Sequence, residues 1–219
     1  MTTHLQATSS IRSHPHVRTA GILLVVAGIT FFLYGPLHPG DSGEGSKVDA
    51  LVEMLENPTW VPAHVVGLAS YACFAVAVLA IRRGLALAPM MRRLTGVVFA
   101  FGVAGTFAML LHALAFTGAD AIRAGGEETF WYQLQTWNES IVNAAWALSI
   151  AVLVVAGGLT RAVGNRLIMP LGLVGALAYA VALATVPFID TFEALFPVSG
   201  LLAVWGVIAG IMMVRRGNR

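Results

Sequence analysis

His64 and His112 lie inside apolar stretches and are the side chains here best suited to chemistry. Their depth can be counted from the arginines that end those stretches. His64 precedes Arg82 by 18 residues and His112 follows Arg93 by 19, about 27 and 28 Å of helix at ~1.5 Å per residue. Asn143, 18 residues before Arg161, falls at the same level. The two histidine stretches are joined by a short basic loop, which makes them antiparallel neighbours whose rings can meet. Neutral imidazole is a ligand for zinc, copper and haem iron. His64 and His112 alone suit one b-type haem. With His38, just beyond the first apolar stretch, and Glu139, one turn above Asn143 on the same face, His64 and His112 suit a transition-metal ion.

Gly67 below His64, and Gly105 and Ala108 below His112, would leave room for a cofactor or let helices pack closely. Tyr71, two turns below His64, and Asn143 are expected to line the site as hydrogen-bonding groups. The plainer alternative for each histidine is a ring hydrogen-bonded to a neighbouring helix. His4, His14 and His16 form a loose group in a polar N-terminal tail, read as disordered over 1–18 and as unlikely metal ligands.

The elements that must hold these residues are membrane helices. Of 219 residues, 58% are hydrophobic and 11% charged, against roughly a quarter charged in soluble domains. The apolar residues fall in blocks of about 20, the length that crosses the hydrocarbon of a bilayer. Spans are expected at 19–35, 61–81, 94–117, 139–160, 167–187 and 196–214. The fold class is therefore an all-α integral membrane protein, a six-transmembrane-helix bundle, with 215–219 as a basic tail. A weak correspondence between Arg18-x-x-Gly21 and Arg93-x-x-Gly96 suggests three helical hairpins. The segment after the first span lacks a small-x-small cleavage site, so that span is read as a retained anchor.

Arginines occupy alternate loops and both ends, whereas every acidic residue falls in the other loops. The positive-inside rule then places both termini in the cytoplasm, and the arginine-rich composition fits a bacterial cytoplasmic (inner) membrane. In the first outer loop Val48, Leu51, Val52 and Leu55 recur at helical spacing, with Ser46 as N-cap and Pro58 as stop. They predict a short amphipathic helix, either interfacial or a lid. Gly125-Gly126 breaks the second outer loop before a segment that begins at Glu127-Glu128 with Phe130, Leu134 and Trp137 on one face, so the fourth helix is expected to start well outside the membrane.

A net charge of +2 and the lack of a basic aromatic patch exclude nucleic acid as a partner. Cys73 is the only cysteine, which excludes an internal disulfide and CxxC chemistry. Walker A, HExxH and dinucleotide fingerprints do not occur. Three functions stay open: a haem or metal site for electron transfer or metal-dependent chemistry, a small-solute or proton-linked carrier, and an accessory subunit. The accessory reading rests on Gly206-x-x-x-Gly210 and Gly172-x-x-Gly175, which would pack against a membrane-protein partner or a second copy. The surrounding partner in every reading is the lipid bilayer.

Overall fold

The computed structural model describes residues 14–218, and every regular element among them is helical. Arg12, His4, the rest of the tail through residue 13, and Arg219 lie outside the described residues. The elements are α1 (His14–Leu37), α2 (Lys47–Glu56), α3 (Trp60–Gly84), α4 (Pro89–Ala113), α5 (Ala119–Gly125), α6 (Phe130–Trp137), α7 (Ala144–Thr160), α8 (Met169–Thr185) and α9 (Leu195–Gly217). A π-helical segment, Asn138–Asn143, joins α6 to α7 without a break, giving a rod of 31 residues. Five helical segments are long and apolar enough to cross a membrane: Pro15–Leu37, Trp60–Gly84, Pro89–Glu128, Phe130–Thr160 and Leu195–Gly217. The protein is thus built like a multi-pass membrane protein. Large apolar side chains on its outer surface, such as Phe32, Phe107 and Leu148 at 58%, 60% and 49% exposure, suit lipid rather than water.

Helix ends differ from the sequence expectation where local capping extends or trims them. α1 begins at His14, so residues 14–18 belong to a helix rather than to a disordered tail. α4 ends at Ala113 and gives way to a 3₁₀ turn, Leu114–Gly118. The fourth rod begins at Phe130, outside the 139–160 span as the segment after Gly125-Gly126 suggests, and the Thr129 hydroxyl caps it by accepting the backbone N–H of Tyr132. Phe130 and Trp137 on that extension face outward, while Tyr132, Gln135 and Asn138 face inward. α8 is a 17-residue helix. In the turn that precedes it, the Asn165 side chain accepts the Leu167 and Ile168 N–H groups.

Around the bundle α1 packs on α3, α3 on α4, α4 on α7, α7 on α8, α8 on α9, and α9 returns to α1. Glycine makes this closure possible. A Cβ on Gly210 would stand 2.5 Å from the Gly21 carbonyl oxygen, and one on Gly21 would stand 2.6 Å from the Gly210 oxygen. Gly28 meets the Ala203 carbonyl in the same way at 2.7 Å, and Gly206 faces Gly28. On α8, Gly172 receives the Trp205 ring, which would stand only 2.6 Å from an added Cβ, and Gly175 abuts the Leu202 backbone. The glycine motifs of α8 and α9 are therefore consumed inside the chain and do not form a free face for a partner.

α2 carries a capping box, in which Ser46 Oγ accepts from Asp49 N and the Asp49 carboxylate accepts from Ser46 N at 2.9 Å. Its Val52 and Leu55 are buried with Trp60, Ala115, Ala119, Ile122 and Tyr132 in a small second core outside the main bundle. Ion pairs hold both ends of α2. Lys47 pairs with Asp190 and, at 3.6 Å, with Glu193 in the α8–α9 turn; Glu56 pairs with Arg123 of α5. α2 is thus part of a cap over the end of the bundle.

Gly210→Ala should lower thermal stability in detergent by about 1–3 kcal/mol, because the added methyl meets backbone rather than a movable side chain. Gly200→Ala, where no atom lies within 4 Å, should be neutral or slightly stabilising by up to ~1 kcal/mol through helix propensity. Equal unfolding midpoints for the two variants would contradict the glycine seam.

Candidate metal centre

His38 hangs from the last turn of α1, His64 lies in the second turn of α3, and His112 closes the last turn of α4. Each of three ring-adjacent helices thus contributes one imidazole at the same end of the bundle. One ligand nitrogen from each ring lies within 4.8 Å of the others. The His64 and His112 ring centres are 4.5 Å apart, and the His38 ring lies 5.0 Å from His64 and 6.4 Å from His112. His64 and His112 are 0% and 3% exposed.

The Nδ1 atoms of all three rings are engaged with oxygen. His64 Nδ1 donates to the Trp60 carbonyl at 2.6 Å, one turn back on α3. His38 Nδ1 donates to the Pro39 carbonyl at 2.9 Å. His112 Nδ1 lies 2.5 Å from Gln135 Oε1 on α6. A carbonyl can only accept, so in His38 and His64 the proton sits on Nδ1 and Nε2 keeps its lone pair; in His112, held between Gln135 Oε1 and Glu139 Oε1, the same arrangement holds when Glu139 carries a proton. This is the orientation that metal-binding histidines take from their outer partners. Beyond the end of α1, burial and then the neighbouring His112 hold the His38 imidazole down to about 4, which favours its neutral, ligating form.

Around the Nε2 atoms stand other polar groups. Glu139 Oε1 lies 3.2 Å from His112 Nε2, and the Tyr34 hydroxyl lies 3.4 Å from His64 Nε2. Glu139 approaches His112, not all three rings. It sits in the π-helical segment, a distortion that often accompanies function. In the same segment Asn138 Nδ2 donates to the Ala108 carbonyl at 2.9 Å, tying the rod to α4 one turn before His112. The buried Gln135 NH₂ has no partner.

Trp60 shuts the cluster off. Its ring centre is 3.9 Å from His64 and 4.9 Å from His112, and its Nε1 donates to the Ala113 carbonyl at 3.2 Å. Above it stands the second core built by α2, α5 and α6.

Two sequence expectations for this region are corrected. Tyr71 does not line the histidines; its hydroxyl bonds that of Tyr179 at 3.1 Å and its ring stacks on Trp146 at 3.7 Å, deeper in the bundle. Nor do the small residues hold space open. Tyr34 fills the notch at Gly67, 3.0 Å from where a Cβ would be, and Trp146 fills that at Gly105 at 2.7 Å. The three imidazoles are placed so that they could hold one ion, whereas a porphyrin plate would need these aromatic side chains displaced. Asn143 is buried at the end of the π segment, with a partnerless Oδ1. Thr185 and Ser199 bond carbonyls of their own helices, as isolated hydroxyls in apolar surroundings do.

Sequence reasoning missed Gln135, Tyr34 and Trp60. Gln135 is one helical turn before Glu139 on the outer extension of the fourth rod, which puts both on the histidine face. Trp60 reads in sequence as an interfacial aromatic.

Trp60→Ala should destabilise the protein by about 3–5 kcal/mol and open the rings to reagents. Carbethoxylation mapped by mass spectrometry should then mark His64 faster than in the parent chain. Unchanged labelling would show that Trp60 does not cover the site. Compared with protein-family models, curated proteins and solved structures, the chain matches none of them.

Proposed function

We propose that this protein is a six-span protein of a bacterial cytoplasmic membrane that binds one transition-metal ion at its outer face, through His38, His64 and His112 with Glu139 as the fourth group. The observation that carries the reading is the convergence of three imidazoles within 4.8 Å, each with its Nδ1 engaged by an oxygen. Two nitrogens at the corners of a tetrahedral ion stand about 3.4 Å apart for bonds of about 2.1 Å, so the ligand nitrogens, within 4.8 Å of one another, close in by up to about 1.4 Å on binding. Three imidazoles and a carboxylate without a thiolate suit zinc, copper or iron. Such an ion supplies a Lewis acid or, for copper and iron, a one-electron couple. Gln135, Trp60 O and Pro39 O orient the rings, Glu139 supplies negative charge or takes a proton, and Trp60 keeps bulk water away.

The haem reading loses ground because Tyr34 and Trp146 occupy the notches that a macrocycle would use. The accessory reading loses its motive because the glycine faces are spent on α1, α8 and α9. The carrier reading gains nothing from the cavity between α1, α3, α7 and α9, whose volume of about 20 Å³ is that of one water.

Apolar turns flanking α8, from Leu167 to Ile189, lengthen it enough to serve as the sixth span. The six helices group as hairpins α1–α3, α4–α7 and α8–α9 around the ring. Arginine at one end and acid at the other place both termini inside.

Protein purified from cells supplied with zinc, copper and iron should carry about one ion per chain by elemental analysis and show no Soret band. His64→Ala and His112→Ala should each abolish occupancy, and in a thermal double-mutant cycle the pair should cost little more than either alone. Gln135→Ala should weaken metal affinity by about 10–100-fold. A metal-free protein, or clean additivity of the two histidine changes, would overturn the site.

The orientation has its own test. A reporter fused after Arg219 should behave as cytoplasmic and one inserted at Gly43 as external; a cytoplasmic signal from Gly43 would reverse the arrangement.

A further inference from the structure

At the end of the bundle remote from the histidines, the α7–α8 turn and the last turns of α9 enclose a groove of about 370 Å³. Arg161, Asn165, Arg166, Leu167, Met212 and Arg216 line it. It contains three guanidiniums and no carboxylate. Among the described residues, ion pairs form at Lys47, His112 and Arg123, none of them here. Among the described residues the groove is therefore a concentration of positive charge without a counter-ion.

Its donors are held in place. Arg216 Nη1 donates to the Arg161 carbonyl at 2.7 Å and its Nη2 reaches the Gly164 carbonyl at 3.4 Å, which leaves the remaining N–H groups of a five-donor fork unspent. Asn165 Oδ1 accepts the Leu167 and Ile168 N–H groups at 2.9 and 3.1 Å, so its amide NH₂ is still available to donate. Leu167, on the rim, is 85% exposed.

Arg161 adds a second, independent sign. It ends α7 at φ 58°, ψ 18°, the left-handed conformation, and is the one non-glycine residue with positive φ among those described. Glycine is the residue that takes this C-terminal position at least cost. An arginine held there is an outlier from which a use for the side chain can be inferred.

We propose that this groove binds the phosphate group of an anionic phospholipid. Arg161, Arg166 and Arg216 would take the phosphate oxygens, for which the planar guanidinium fork is suited. Leu167 and Met212 would lie against the first acyl carbons. The position at the end of apolar helices puts the groove at headgroup level, and the apolar rim beside the cations fits a lipid better than a soluble anion.

The test is thermal unfolding of the full chain in an uncharged detergent, titrated with phosphatidylglycerol, phosphatidylcholine or inorganic phosphate. Phosphatidylglycerol should raise the midpoint, and the other two should not. Arg166→Gln should weaken the apparent phosphatidylglycerol affinity about fivefold, the effect of roughly one interfacial charge. Arg161→Gly should weaken it similarly while keeping or raising the lipid-free midpoint, because the left-handed turn suits glycine; that variant separates binding from folding. Arg83→Gln, an exposed arginine at the same end but outside the groove, should leave the response unchanged. An equal loss from Arg83→Gln would assign the effect to diffuse charge, and an equal response to inorganic phosphate would make the ligand a soluble anion. Either result, or no response to phosphatidylglycerol, overturns the proposal.

Discussion

A polar side chain set among apolar helices must find its partner within the protein, because hydrocarbon supplies none. The arrangement at the histidine end follows from that constraint. Each imidazole occupies one nitrogen with a carbonyl or amide oxygen, two of them backbone carbonyls and the third the Gln135 side chain. Helix ends are also where the polar residues collect, since the last carbonyls and first N–H groups there lack partners in their own helix. The deeper bundle is filled instead by Tyr71, Trp146, Tyr179 and small apolar side chains, where two tyrosines satisfy each other.

The same constraint explains why the cap is elaborate. Three imidazoles and a carboxylate at the edge of the apolar layer would otherwise be flooded. α2 and α5 supply a small second core that rests on Trp60, and Trp60 rests on His64 and His112. The cap is fixed to the α8–α9 turn through Lys47 and to itself through Arg123 and Glu56. Burial works against the Lys47 charge, yet the hydrogen bond and charge of Asp190 outweigh it and raise the pKa.

Much of this was legible in the sequence, for a simple reason: a helix has a fixed rise, so distance from a terminal arginine is depth. That rule brought His64, His112 and Asn143 to one level, and the spacing of Val48, Leu51, Val52 and Leu55 announced α2. Depth does not give rotation or occupancy. Tyr71 is on the helix that carries His64 but two turns deeper, where Tyr179 answers it. Small residues announced close approach without saying which neighbour would come close. Gly105 receives an indole, and Gly210 receives the backbone of α1. Local capping sets the helix ends that spacing leaves open: Thr129 starts α6 well before the apolar span, and Gln135 lies in that extension.

The seam between α1 and α9 joins the earliest long helix of the chain to the latest. During synthesis α1 enters the bilayer with its glycine groove facing lipid, and no other helix can fill it as closely. The ring stays open until translation has delivered α9, so α1 keeps one face without its final partner while every helix between them is made. A nascent chain stalled before that point would display the unfilled groove to the membrane, a feature by which quality-control proteases could tell an unfinished copy from a finished one.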